Sequence, residues 1–295
     1  MKAVDLFCWC WWLSLWFLQA WFTIMAAFDN RDKAINIYKK NFNHPVFDYD
    51  LTDVEWSSKI IKNLKPDIII WWPPCQDFSS AWKRNEDNWR WELTISYAKI
   101  ISSVKPNMFV MENVSQIKWT NKLEEAKKIY KKAWYWLTEI ELDASLCGVP
   151  QKRKRFFLIW KIDEKDDFLK DNLIKNIWKN HMTIRDYVWD KRWIEYYYRH
   201  PRSYMRRWIF SIDEPSPTIR WVNRPLPKWY KLHPNDPVNS LEWIRCLTTK
   251  ERSILQTFPE NFIFEWSKTD IEQMVWNAVP VNLAKYVGLA IIAYM

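Results

Sequence analysis

Residues 3–12 read AVDLFCWCWW, an apolar run that ends at Asp5-Leu6-Phe7 and passes at once into Trp9, Trp11 and Trp12. A strand that ends here and gives way to a helical pattern must turn sharply. Glycine is the residue for such turns, because it alone enters left-handed backbone freely. The largest side chain therefore stands where the smallest is needed. The same substitution of character runs along the whole chain, which has 2 Gly and 24 Trp in 295 residues. Globular proteins average roughly 7% glycine, or about 20 residues in this length. Trp89 and Trp91 flank Arg90 in the polar KRNEDNWRWE (83–92), and Trp221 and Trp229 punctuate the turn-rich IRWVNRPLPKWYK (219–231). Tryptophan is ordinarily a buried residue, and many of these lie in polar, loop-like surroundings. We read most of them as glycine positions, written as tryptophan because a recoded stop codon was translated with the wrong genetic code. The alternative is a truly tryptophan-rich protein.

The length suits one large domain or two unequal ones. Lys+Arg is 44 and Asp+Glu 35, a formal net charge of +9. That surplus is compatible with an anionic partner such as nucleic acid, and equally with a basic enzyme that has none. Five cysteines, with no CxxC pair, point to a reducing compartment and away from a disulfide frame. The four histidines stand at 44, 181, 200 and 233, none at metal-ligand spacing, so no metal is expected. Residues 3–28 carry a single charge, Asp5, and resemble a membrane span by hydropathy. With glycine at 9, 11, 12, 16 and 21 they become strand, turn, helix and strand instead, and a membrane reading is rejected.

Up to residue 160, short apolar runs alternate with helical patterns. AVDLFC, FTIMAAFD, PDIII, PNMFVMEN, LTEIELDA and RFFLIW read as strands; AINIYKKNF, LTISYAKIISSV and LEEAKKIYKKA read as helices. Leu93, Tyr97, Ile100, Ile101 and Val104 share one helical face. Such alternation implies an α/β fold with a parallel, doubly wound sheet, on which ligands bind beyond the carboxyl ends of the strands. The strand tails of interest are Asp5-Leu6-Phe7, Asp29, Asp50, Pro73-Pro74-Cys75 and Glu112-Asn113. Residues 175–245 lose helical period and read as a separate small domain of loops and short strands. Helical patterns return in 246–295, whose last helix is expected to pack back on the first domain.

Three stretches carry candidate chemistry. In WWPPCQDFSS (71–80), two prolines stiffen the chain before Cys75 and present its thiol in a fixed direction, as a nucleophile requires; the alternative is a buried structural cysteine. In MFVMENVSQI (108–117), Glu112 and Asn113 follow an apolar strand. A partly desolvated carboxylate there can donate a proton, or the pair can cap a helix. In GVPQKRKRFF (148–157), Gln151, Arg153 and Arg155 alternate and so share one face. That face can clamp phosphate or a base edge, or be an ordinary solvated basic surface.

In this order the motifs resemble the cytosine-C5 DNA methyltransferase family over nearly the whole chain. DLFCWCWW resembles its cofactor loop Asp-Leu-Phe-x-Gly-x-Gly-Gly, and WWPPCQDFS its nucleophile loop. ENV and Gln-x-Arg-x-Arg match as written. RCLTTKERSILQTFP (245–259) resembles the segment that closes the recognition domain, and WNAVPVNLA (276–284) the Gly-Asn-x-Val motif. The departures are Gly to Trp, at 9, 11, 12, 71, 72 and 276.

The resemblance implies a Rossmann-like S-adenosyl-L-methionine-dependent sheet, with 1–174 catalytic and cofactor-binding, 175–245 a target-recognition domain, and 246–295 a return segment and final helix. It implies that Asp5, Phe7, Trp9, Trp11, Trp12, Asp29, Asp50, Leu51, Leu93, Asn277 and Val279 form the cofactor site. Cys75 is implied as the nucleophile at C6 of a flipped cytosine, Glu112 as the group that holds N3, and Arg153 and Arg155 as residues that steady the base. Gln76, Ser79, Gln151, Arg220 and Arg224 are implied to touch duplex DNA. A cytoplasmic monomer, the modification half of a restriction system with a cognate restriction endonuclease, is expected. An RNA-directed relative and a non-catalytic DNA-binding relic are the alternatives, and tryptophan at 9, 11 or 12 is expected to block the cofactor site.

Overall fold

A computed structural model describes residues 1–8, 12–72, 90–188, 194–201, 203 and 205–295, with backbone only at 12, 13 and 90–92. In chain order the strands are β1 (Lys2–Leu6), β2 (Thr23–Asp29), β3 (Val46–Asp48), β4 (Ile68–Trp71), β5 (Met108–Asn113), β6 (Tyr135–Asp143), β7 (Gln151–Lys152), β8 (Lys154–Ile162), β9 (Tyr196–Tyr198), β10 (Ile209–Ser211), β11 (Ser216–Pro217) and β12 (Arg245–Cys246). The helices are α1 (Trp12–Gln19), α2 (Asp32–Asn41), α3 (Val54–Asn63), α4 (Arg90–Val104), α5 (Asn121–Lys132), α6 (Lys170–Lys175), α7 (Ile184–Tyr187), α8 (Thr249–Leu255), α9 (Lys268–Asn277) and α10 (Val281–Tyr294). The chain forms two compact units. The first comprises Met1–Leu142, Lys154–Asn176 and Ala284–Met295; the second comprises Asp143–Arg153 and Ile177–Leu283.

The first unit is built on a seven-stranded sheet of order β3-β2-β1-β4-β5-β8-β6. Its middle strands are apolar on both faces, as a sheet covered by helices on each side requires: Ile68–Trp71 and Met108–Asn113 are buried throughout. Strands β3, β2, β1, β4 and β5 run parallel, but β8 runs antiparallel to β5. The expected all-parallel sheet is corrected on that point, since an apolar run signals a strand and not its direction. On α4, Leu93, Tyr97, Ile100, Ile101 and Val104 are all buried, the face read from their spacing. Helix α5 begins at Thr120, whose hydroxyl accepts from the Leu123 amide, and buries Leu123, Ala126 and Tyr130. On α10, Gly288 lies against α1 so closely that a Cβ there would sit 2.8 Å from that of Ala20.

The second unit holds a three-stranded sheet, β10-β9-β12, and a two-stranded one, β11-β7. One of its clusters joins Ile184, Tyr197, Ile212 and Ile219 to Leu247, Leu255 and Val275. Residues 246–283 therefore belong with the second unit, and Ala284–Met295 with the first. The apolar contacts of α8 and α9 decide this. Another cluster stacks Trp208 on Tyr230, 4.5 Å between ring centroids.

The apolar N-terminal stretch divides into β1, α1 and β2 rather than one long helix. Among the described residues, Lys268–Tyr294 is apolar enough to cross a membrane by composition. It is broken at Pro280 into α9 and α10, and 61% of its most apolar window is buried within the fold.

Candidate active site

Because five strands run parallel, their carboxyl ends lie on one edge of the sheet. Strand β1 has β2 on one side and β4 on the other, so the connections diverge there and leave a crevice beyond its end. Asp5 is fully buried one residue before the end of β1. Its Oδ2 accepts the Ser14 amide at 3.2 Å and the Ser14 hydroxyl at 2.7 Å. Its Oδ1 is buried with no hydrogen-bond partner among the described residues. Burial pushes this carboxyl up to about 7 against the pull of Ser14, and the charge of Asp29 adds to the rise. Phe7 follows in left-handed backbone, φ 62°, and lies 6.2 Å from Trp71 between ring centroids.

Asp29 ends β2, almost buried, with Oδ1 accepting the Arg31 amide at 3.0 Å. Burial raises its pKa to about 6, although the Arg31 charge opposes the rise. Asp50 is exposed just beyond β3, and its Oδ1 accepts the Thr52 amide at 2.9 Å. Leu51 beside it and Leu93 on α4 are buried. Carboxylates at the ends of adjacent strands, beside an aromatic ring at the switch point, suit the hydroxyls and the flat base of a nucleoside.

Glu112 sits at the carboxyl end of β5 and is fully buried. Arg155, on the neighbouring β8, brings Nε to 3.0 Å from Glu112 Oε1 and donates through Nη1 to the Lys154 carbonyl at 2.7 Å. The Asn113 side chain accepts the Val114 amide, so it turns the chain at the strand end. A carboxylate taken out of water and balanced by one guanidinium can hold or pass a proton at a base placed against it.

In the second unit, Gln151 and Arg153 do share a face, while Lys152 and Lys154 are exposed. That face is the interior: Gln151 is 0% and Arg153 2% exposed. The Gln151 Oε1 accepts the Ile219 amide at 3.0 Å, and its Nε2 donates to Gln256 Oε1 at 2.9 Å. Arg153 Nη2 donates to the carbonyls of Trp276 at 2.7 Å and Asn277 at 3.5 Å. Strand period fixes which residues share a face, not whether water or protein covers it. Asn277 ends α9 and Val279 is buried.

Arg224 is exposed and Arg220 half-buried. Together with Arg199 they lower the pKa of His200, after burial. Burial first, then the Arg220 charge, brings Arg199 down to about 10. This mutual depression marks a positive field that suits an anionic partner. Arg199 and His200 carried no signal in the sequence beyond belonging to an aromatic and basic run. Cys147 is buried, which pushes its thiol up to about 12 and makes it inert as a nucleophile.

Trp9, Trp11, Cys75, Gln76 and Ser79, and the side chain of Trp12, lie outside the described residues. Among the described residues no group of His, Cys, Asp and Glu could hold a metal ion. Two contrasting sets stand out among the described tryptophans. Trp16, Trp71 and Trp160 are core residues, Trp71 stacked on Tyr97 at 3.8 Å. Trp21, Trp134 and Trp243 are exposed and hold left-handed backbone, φ 67°, 66° and 66°. At the end of α1 the Phe22 amide bonds the Phe17 carbonyl and the Trp21 amide bonds Leu18, which makes Trp21 the left-handed residue of a Schellman turn, ordinarily glycine.

Strand-end carboxylates at the switch point of the sheet and a buried acid-guanidinium pair place the chain among the doubly wound α/β proteins. The model of C-5 cytosine-specific DNA methylases matches residues 1–293. The type II methyltransferase M.HindV of Haemophilus influenzae is 52% identical over 295 residues, covering 100% of this chain and 97% of that protein. M.HgiDI of Herpetosiphon aurantiacus is 46% identical, covering 100% and 95%. The S. pombe Dnmt2 methyltransferase structure superposes with a TM-score of 0.71 at 17% identity, over 99% of this chain and 98% of that one. The chain belongs to the C-5 cytosine-specific DNA methylase family and is a DNA (cytosine-5)-methyltransferase.

Proposed function

We propose that the chain transfers a methyl group from S-adenosyl-L-methionine to C5 of a flipped cytosine in a specific duplex site. We further propose that it acts in the cytoplasm as a monomer, as the modification partner of a cognate restriction endonuclease. The names of the two relatives, both type II methyltransferases, support the restriction-modification setting. The observation that carries the chemistry is the buried Glu112 at the carboxyl end of β5, held by Arg155.

The residues at the sheet edge fit the cofactor. Asp29 offers a carboxylate to ribose hydroxyls, Asp50 an acceptor to an exocyclic amine, and Phe7 a ring face. Asp5 presents a buried oxygen with no hydrogen-bond partner among the described residues. S-adenosyl-L-methionine supplies an electrophilic methyl group there. The target base leaves the stack, since C5 and C6 cannot be reached within it. Cys75 is assigned the attack: its sulfur bonds to C6, and Glu112 holds and protonates N3, which leaves C5 electron-rich. Arg155 keeps the Glu112 carboxylate oriented. After methylation, loss of the C5 proton and departure of the thiolate restore both the ring and Cys75. Arg220 and Arg224 are assigned to the DNA, with lysines and arginines adding salt-sensitive phosphate affinity. The same reading takes most of the tryptophans, those at 9, 11 and 12 included, as glycines in the native protein.

Transfer of labelled methyl groups to unmethylated duplex DNA and to tRNA tests the assignment. Label in duplex cytosine, abolished by Cys75→Ser, is expected. Label in tRNA alone would replace the reading with an RNA-directed enzyme.

A further inference from the structure

Gln151 resembles a DNA-contacting residue by its motif, yet every polar atom of its side chain is used inside the second unit. The segment that leads to Arg220 is laid along residues 150–152. The Ser216 amide bonds the Pro150 carbonyl at 2.9 Å, the Thr218 hydroxyl bonds the Lys152 carbonyl at 2.7 Å, and the Ile219 amide bonds Gln151 Oε1 at 3.0 Å. The next residue is Arg220. On its other side, Gln151 Nε2 donates to Gln256 Oε1, and Gln256 Nε2 donates to the carbonyls of Val275 and Ala278. Those carbonyls bracket Trp276 and Asn277, whose own carbonyls receive Arg153.

The direction of this relay is fixed. The Ile219 amide can only donate, so Gln151 must turn its oxygen there and its NH2 to Gln256. Gln256 must then turn its oxygen to Gln151 and its NH2 to two carbonyls. Reversing either amide sets donor against donor and acceptor against acceptor. Both side chains are 0% exposed, so a broken link leaves buried polar groups unsatisfied.

We propose that Gln151 and Gln256 are positioning residues. Their amides form a bridge that sets the backbone before Arg220 and the backbone around Asn277 in one register, and Gln151 acts on DNA through this bridge rather than by touching a base. The proposal rests on the methyltransferase reading, which assigns Arg220 to DNA, and on the family resemblance, which implies Asn277 in the cofactor site.

The test uses Gln256→Leu, because Gln256 is buried and reaches DNA by no path of its own. Full-length variants are made in the protein's own host and assayed on an unmethylated PCR-amplified duplex of several kilobases. KM for that duplex and KM for S-adenosyl-L-methionine are both expected to rise on the order of tenfold, as the loss of a buried amide link implies. Gln151→Leu is expected to match it, and the double variant to be no worse than either single, since both break one bridge. A purely structural role would instead lower the melting temperature and the active fraction without moving either KM. The proposal is overturned if Gln256→Leu leaves both KM values unchanged while Gln151→Leu raises that for DNA alone. Gln256→Met carries the same readout if the leucine variant does not fold. Failure of the wild type to methylate the duplex at all would strike the methyltransferase reading instead.

Discussion

Arg155 Nε stands 3.0 Å from Glu112 Oε1, across antiparallel neighbours in the sheet, and the carboxylate it meets is wholly buried. Arg155→Ala strands that charge, and breaking a buried pair costs about 3–5 kcal/mol. A fall in kcat on the order of a hundredfold or more is expected in single-turnover methylation, with Arg155→Lys recovering part of it. An alanine variant with wild-type kcat would remove Glu112 from its assigned role.

Asp29 titrates near 6 because burial disfavours its charge. As the ionised form is the better acceptor for two hydroxyls, cofactor affinity is expected to drop as pH falls through about 6 and to level off above 7. Calorimetric titration from pH 5 to 8 reads this directly. Asp29→Asn is expected to bind more weakly and to flatten the profile; an unchanged slope in that variant would assign the titration elsewhere.

Asp5 has a folded pKa near 7, far above an unfolded aspartate. A carboxyl raised in the folded state binds its proton more tightly there, so its contribution to stability is full in acid and is lost as pH rises through about 7. Thermal melts of the wild type are expected to lose stability between about pH 4 and 7, and to level off above that, relative to Asp5→Asn. Parallel curves would mean that Asp5 stays charged.

Gly288→Ala places a methyl group 2.8 Å from that of Ala20, closer than carbon atoms approach. Overpacking of this kind costs about 1–3 kcal/mol. Chemical denaturation is expected to show that loss and to show recovery with Ala20→Gly added. If the single variant is neutral, α10 has shifted on α1.

The left-handed tryptophans give a test of what the native residues are. Such backbone costs a side-chain-bearing residue about 1–2 kcal/mol, so Trp134→Gly and Trp21→Gly are each expected to stabilise the chain as written. Peptide masses across residues 3–31 of the protein from its own host are expected to show glycine at 9, 11 and 12. Tryptophan masses there, together with tight cofactor binding, would refute the recoding.

Much of this architecture could be read before any coordinates. The apolar runs ending at Leu6, Asp29, Trp71 and Asn113 became neighbouring strands because a doubly buried strand has little choice of composition. The face of α4 followed from spacing alone. Strand β8 could not be oriented that way, since RFFLIW reads equally well in either direction. Helix α3 and strand β3 went unseen, the helix because VEWSSKIIKN breaks its apolar period with serine and tryptophan, the strand because three half-exposed residues carry no period at all. The partners of Gln151 come from residues more than sixty positions away, Ile219 and Gln256, and no local pattern announces such contacts. The stretch with Cys75 is legible only as a motif.

The contact of Gly288 with Ala20 joins α10 to the residue that follows α1. During synthesis α1 leaves the ribosome with its apolar side uncovered, and the segment that covers it, Ala284–Met295, is translated after the second unit. The first unit is therefore completed only after the whole of the second has emerged. A nascent chain halted anywhere before residue 284 carries an exposed greasy surface, the mark by which chaperones and proteases sort unfinished products from finished ones.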